Sequence, residues 1–218
     1  MYFYINKEKI PTIYFLKTNN EIINFSLKTK SIDSRINLYK EELLVKILKK
    51  YNNKTNIIDT TAGFGKDAII IASAGYKINI IEKNPIIIYI LKKKMNFEYK
   101  YILKKNKIKN IKIIYGDARK ILYKLKKDKY PDIIYIDPFF LKLKNSAIEK
   151  TYMFILKKIS KSHINTTNEL IKISEKRCKK IIIIKSHIKS KLLLDNPTYQ
   201  IFGSRIKFDI YNTSFLKN

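Results

Sequence analysis

From Asn56 onward, short isoleucine-rich runs alternate with longer stretches of helical period, and this alternation constrains the fold more than any other feature. Strand signals fall at 56–59, 77–82, 111–115, 132–136, 180–185, 199–202 and 206–211. Between them, apolar residues at helical spacing predict helices over about 66–74, 85–105, 118–127, 146–161 and 167–178. Such alternation implies right-handed crossovers, and so a mostly parallel sheet with helices on both faces. Gly203-Ser204 between the last two strand signals is a hairpin signal, so the sheet should end antiparallel. The prediction is an α/β fold with a mostly parallel seven-stranded sheet and a terminal antiparallel hairpin.

The first part of the chain reads differently. Strand signals at 2–5, 13–16 and 22–25, with Asn19-Asn20 as a turn, predict a small β-rich N-terminal appendage over 1–35. Leu38, Leu43, Leu44, Ile47 and Leu48 then predict an amphipathic helix over 36–51, which opens a core domain over 36–218. The longest apolar runs, such as Ile181 to Ile184, fall well short of the ~20 residues that cross a bilayer. The N-terminus lacks the basic-then-apolar order of a signal peptide. A single cysteine, Cys178, cannot form an internal disulfide, and with only His163 and His187 it offers no metal-ligand spacing. No metal and a cytoplasmic location are therefore expected, and no membrane partner. Oligomeric state is left open, with a monomer as the default.

The formal charge of +28 invites a nucleic-acid partner, because Lys and Arg neutralise phosphates. Of the 46 basic residues, however, only Arg35, Arg119, Arg177 and Arg205 are arginine. Lys, Ile, Asn and Tyr, all frequent here, share A+T-rich codons, so part of the charge reflects base composition. Charge thus supports RNA binding without establishing it.

Three strand ends carry the strongest chemical signals. The run Ile57-Ile58-Asp59-Thr60-Thr61-Ala62-Gly63-Phe64-Gly65-Lys66-Asp67 is a buried strand, a glycine turn and a helix start. Ligands of open α/β sheets bind beyond such carboxyl ends, and Gly63 and Gly65 would let the backbone approach one closely. Glu82 ends the next strand roughly twenty positions on, where a carboxylate accepts hydrogen bonds from both ribose hydroxyls of an adenosine. Asp117-Ala118 follows the third strand, placing an acceptor for the adenine amine beside a small side chain. Asp117 as a plain helix cap is the simpler alternative. The acidic strand ends would repel a pyrophosphate and suit a nucleoside carrying a cationic sulfonium and an amino-acid tail, which is S-adenosylmethionine.

The fourth strand ends Ile136-Asp137-Pro138-Phe139-Phe140. This resembles the [DN]-P-P-[FYW] loop of methyltransferases that modify exocyclic amines, with Phe139 in place of the second proline. An aromatic amine is a weak nucleophile because its lone pair is delocalised into the ring. Asp137 can accept the amine hydrogens and draw the nitrogen toward tetrahedral geometry. Pro138 stiffens the turn, and Phe139 or Phe140 can stack on a base that has been turned out of its helix. Lys142, Lys144 and Lys150 flank the loop as candidate phosphate contacts, and Lys185, ending the fifth strand, could face the same mouth.

Taken together, Asp59 to Ala68, Ala72-Ser73-Ala74-Gly75, Glu82-Lys83-Asn84-Pro85, Ile136 to Phe140, Lys144-Asn145-Ser146-Ala147 and Lys207 to Tyr211 resemble the small-subunit ribosomal RNA (guanine-N2) methyltransferase J family. They occur in the family's order over 57–212. The resemblance implies a Rossmann-like class I methyltransferase that methylates a guanine N2 in 16S-type rRNA with S-adenosylmethionine. It places cofactor positions on Lys66, Asp67, Glu82, Lys83, Asp117, Ala118 and Asp137. The catalytic loop is Asp137, Pro138 and Phe139. The family has arginine where Lys66 and Lys83 stand. Residue chemistry alone also allows adenine N6 in DNA, another rRNA base, or a non-catalytic RNA-binding protein of ribosome assembly.

Overall fold

The computed structural model describes residues 2–5, 11–16, 22–26, 35, 38–96, 98–105, 110–138 and 164–214. Strands β1 (Tyr2–Ile5), β2 (Pro11–Leu16) and β3 (Ile22–Ser26) form a separate three-stranded antiparallel sheet, with Tyr2 opposite Tyr14 and Thr12 opposite Ser26. The remaining strands are β4 (Asn56–Asp59), β5 (Lys77–Glu82), β6 (Ile111–Tyr115), β7 (Ile133–Ile136), β8 (Ile181–His187), β9 (Tyr199–Phe202) and β10 (Ile206–Asn212). They make one seven-stranded sheet in the order β6-β5-β4-β7-β8-β10-β9. All of its pairings are parallel except those of β10 with β8 and β9. The parallel sheet closed by an antiparallel hairpin is the architecture that the alternation and Gly203-Ser204 predict.

Both faces of this sheet are covered, which explains why its central strands carry consecutive isoleucines. One face sets Ile57, Tyr135, Ile181, Ile183 and Phe208 against helices α1 (Leu43–Leu48) and α2 (Lys66–Ser73). The other sets Ile58, Ile134, Ile136, Ile182 and Ile184 against α5 (Ala118–Lys124) and α6 (Ile164–Arg177). Helices α3 (Pro85–Asn96) and α4 (Glu98–Lys105) complete the first layer, where Leu91, Met95 and Tyr99 are buried.

Local differences from the periodicity have local causes. In place of one helix over 36–51, a 3₁₀ turn at Tyr39–Glu41 is followed by α1, because Glu42 between them is extended (ψ 128). Its carboxylate there grips the Arg35 guanidinium at 2.7 and 2.9 Å. The stretch 85–105 is divided between α3 and α4, with Tyr99 entering the core and donating to the Phe64 carbonyl at 3.3 Å. Helix α5 stops at Lys124, where Leu125 turns extended (ψ 134). Strand β8 continues to His187 because β10 pairs with it to that point. The helix expected over 146–161 lies outside the described residues, as do Phe139, Phe140, Lys142, Lys144, Lys150 and His163. Among the described residues, no helix is long and apolar enough to cross a membrane.

Strand order reverses between β4 and β7, since the chain runs outward from β4 through β5 to β6 and then resumes on the other side at β7. At such a switch point the crossovers leave in opposite directions and open a crevice at the carboxyl ends. Of the acidic strand ends read from the sequence, Glu82 and Asp117 line that crevice, and Asp59 is buried.

Candidate active site

The carboxyl ends are laced together by the turn after β4. Thr60 donates to the Tyr135 carbonyl through both its backbone N–H and its hydroxyl, each at 3.0 Å. Thr61 donates its hydroxyl to Asp59 Oδ1 at 3.2 Å and accepts the Asp137 backbone N–H at 2.7 Å. On the other side, Ala62 N–H donates to the Ile81 carbonyl at 3.1 Å and Gly63 N–H to Glu82 Oε2 at 3.2 Å. The turn therefore fixes the end of β7 relative to that of β5. Gly65 has φ of 73°, and a Cβ there would sit 2.7 Å from Leu91 Cδ1, so both conformation and packing call for glycine.

A cleft opens between these ends, lined by Glu82, Lys83, Asp117, Ala118 and Pro138 over a floor that includes Ile81, Ile136 and Leu170. Glu82 is buried, which raises its carboxyl, while N–H groups of Asn84 and Gly63 act in the opposite direction. Backbone N–H groups of Gly63, Asn84 and Lys83 occupy part of its acceptor capacity, and a carboxylate offers about four acceptor sites in all. Asp117 caps α5 through Arg119 N–H at 2.9 Å and also pairs with the Arg119 side chain, which holds its carboxyl below the usual range. The capping alternative thus describes the local geometry, and the same residue lines the cleft. Arg119 reaches on to Glu169 of α6, tying the two helices that flank the opening. An apolar floor and acceptors at two strand ends suit a nucleoside with a cationic tail.

Beside the cleft lies a cluster of buried charge. Lys185 Nζ sits 2.6 Å from Asp67 Oδ2 and 2.7 Å from Asp137 Oδ2. Tyr135 donates its hydroxyl to Asp67 Oδ2 at 2.6 Å, and Arg35 reaches Asp67 Oδ1 at 3.1 Å. Burial alone would raise the Asp67 carboxyl, but Lys185 and Arg35 hold it well below the usual range. Burial would likewise lower Lys185, yet the two carboxylates keep its ammonium firmly protonated. Asp137 is pushed upward by burial, opposed by Lys185 and reinforced by Asp67.

The structure thus brings Glu82, Lys83, Asp117, Ala118 and Pro138 to one cleft, with Asp137 directly after Ile136 at its edge. Asp67, expected at the cofactor, stands behind Asp137 with both oxygens on protein partners, and neither it nor Lys66 lines the cleft. Sequence reading did not single out Tyr135, Arg35, Arg119 or Glu169. A signal for two of them was present: in a chain with four arginines, Arg35 and Arg119 each bridge two carboxylates, where a planar fork serves better than an ammonium.

Asp59, fully enclosed under the turn, is pushed up to about 8 by burial, against the opposing hydrogen bond from Thr61 N–H. A raised folded value means stability is greatest below the ordinary value of 3.8 and is lost as pH climbs toward 8. The slope is about 1.4 kcal/mol per pH unit for one such group. Asp67, depressed rather than raised, acts only as pH falls below its ordinary value, so the two windows do not overlap. Melting temperatures measured from pH 5 to pH 8 should fall for the parent and fall less for Asp59→Asn. Parallel curves would show that Asp59 ionises normally in the fold.

A sheet that runs outward on both sides of β4 and ends in an antiparallel β9–β10 hairpin, with acidic residues beyond its strand ends around a cleft, is that of a class I S-adenosylmethionine-dependent methyltransferase. The family described as "Putative SAM-dependent methyltransferase" matches residues 6–213. A ribosomal RNA small subunit methyltransferase J from Legionella pneumophila strain Corby is 32% identical over 93% of this chain and 83% of its own. The protein of the same name from strain Paris is 34% identical over 74% of this chain, a match that spans 65% of that relative's length. In fold, the chain resembles a SAM-dependent methyltransferase from Neisseria gonorrhoeae with a TM-score of 0.69, at 21% identity and covering 94% of this chain and 79% of that one. The chain belongs to the ribosomal RNA small subunit methyltransferase J family of SAM-dependent methyltransferases.

Proposed function

We propose that this protein methylates the exocyclic N2 amine of a guanine in small-subunit rRNA, using S-adenosylmethionine. The observation that carries this reading is the Asp137-Pro138 loop, bound through Thr61 to the glycine turn and set at the edge of the cleft lined by Glu82 and Asp117. In this reading Glu82 accepts from the ribose hydroxyls, Asp117 from the adenine amine, and Ala118 leaves room for the ring. Lys83 stands exposed at the same opening, and Lys66 and Asp67 begin the helix after the glycine turn. The cofactor supplies an electrophilic methyl group on a sulfonium.

The chain's own residues do the rest. Asp137 accepts hydrogens from the guanine amine, localises its lone pair and aims it toward the cleft. Pro138, buried at the cleft wall, offers no N–H to compete for that carboxylate. Once methylated, the nitrogen is cationic and sheds a proton to the Asp137 carboxylate or to water, so no strong base is needed beforehand. Phe139 follows as the stacking partner for the base. The same reading treats 1–35 as an appendage to a catalytic domain over 36–218, acting in the cytoplasm as a monomer.

Mass mapping of modified nucleosides in small-subunit rRNA tests this function. Cells lacking the gene should lose N2-methylguanosine at one position and regain it when the gene is restored. An unchanged N2-methylguanosine map, or loss of a different mark, would overturn the guanine assignment.

A further inference from the structure

Two carboxylates facing one another in a buried site ordinarily share a proton, because both cannot ionise at close range. Here Lys185 stands between them. Its side chain is 18% exposed, against 11% for Asp67 and 36% for Asp137, so Asp67 lies deepest, the ammonium stands between, and Asp137 faces outward. A lysine following Ile181 to Ile184 in a buried strand is costly unless its charge is matched. Asp67 alone would match it. The second bond, to the more exposed carboxylate at the cleft edge, leaves Asp137 Oδ1 without a partner among the described residues.

We propose that Lys185 is a positioning residue for methyl transfer: braced by Asp67, its ammonium holds the Asp137 carboxylate ionised, with one oxygen bound and the other left for the substrate amine. This rests on the reading of Asp137 as the amine acceptor. The brace is itself fixed, since Tyr135 and Arg35 occupy Asp67 from β7 and from the segment before α1, and Glu42 holds Arg35. The charged and titratable groups around Asp137 among the described residues are Lys185, Asp67, Arg35, Tyr135 and Asp59. Lys185 opposes the upward push of burial and of Asp67 more strongly than Arg35 does. Without it, Asp137 would take up its proton at a higher pH and lose acceptor strength.

The test is the pH profile of single-turnover methylation of rRNA from cells lacking the gene, at saturating S-adenosylmethionine, with cofactor affinity measured separately by calorimetry. In Lys185→Met the acid limb should move up by roughly 1–3 pH units, the usual effect of removing a neighbouring opposite charge. Rate should recover at high pH, cofactor affinity should hold, and Lys185→Arg should keep the limb near the parent's. Lys185→Gln removes the same charge but keeps N–H donors for the two carboxylates; it supplies the same measurement if Lys185→Met does not fold. An acid limb that stays at the parent's position in either variant overturns the proposal, as does a loss explained entirely by weaker cofactor binding. Asp137→Ala separates the two levels. If it reacts at the parent rate, the amine-acceptor reading itself fails; if it is slow while Lys185→Met is unaffected, only the role of Lys185 falls.

Discussion

Asp137→Ala is expected to reduce methyl transfer about 10²–10³-fold under single-turnover conditions, the usual cost of removing one preorganised electrostatic contact. The contact is preorganised here by two bonds, Thr61 accepting the Asp137 N–H and Lys185 holding its carboxylate. Hydrogen bonds from the amine strengthen as the nitrogen becomes tetrahedral and positive, so the loss should fall on turnover rather than on RNA affinity. Removing the carboxylate also leaves Lys185 with Asp67 alone, and a modest fall in melting temperature should accompany the kinetic loss. A folded variant that reacts at the parent rate would assign amine orientation to the loop's backbone carbonyls.

Glu82→Ala should weaken S-adenosylmethionine binding by about 1.5–3 kcal/mol, the range for a hydrogen bond to a charged group. That is roughly a 10- to 100-fold rise in Kd. Glu82 is also the acceptor for Gly63 and Asn84 N–H groups, so its removal loosens the glycine turn and should lower thermal stability as well. Glu82→Gln keeps acceptor oxygen at the site without the charge and should lie between parent and alanine variant. Calorimetry showing unchanged affinity in a folded Glu82→Ala protein would remove Glu82 from the cofactor site.

Signals confined to a few neighbouring residues were legible without a structure. Strand ends at Asp59 and Glu82 follow from runs of isoleucine closed by an acid, and the β9–β10 hairpin follows from Gly203-Ser204. Glycine at 65 announces a turn because few other residues adopt its φ of 73°. Helix limits were less legible, since they depend on partners elsewhere. Glu42 ends the helical run before α1 while holding Arg35, and Tyr99 is carried into the core to meet Phe64. Nothing in the period of apolar residues encodes those contacts.

The sequence by itself determined the α/β class, the parallel sheet with its antiparallel close, and the places where an acid meets a turn, because periodicity and turn chemistry act over one or two helical turns or a single strand. Only the tertiary structure decided which acids face the cleft and which are held by the protein. Lys185 lies 118 residues from Asp67 and 48 from Asp137, and Tyr135 lies 68 from Asp67. In sequence Tyr135 reads as one more apolar strand residue and Lys185 as one of many lysines. Sheet order brings β8 beside β7 and places α2 over that face, so that a lysine, a tyrosine and two carboxylates converge in a partly buried site. Their charges and hydrogen bonds have consequences only at that separation, because Coulomb interaction and desolvation depend on distance in space and not along the chain.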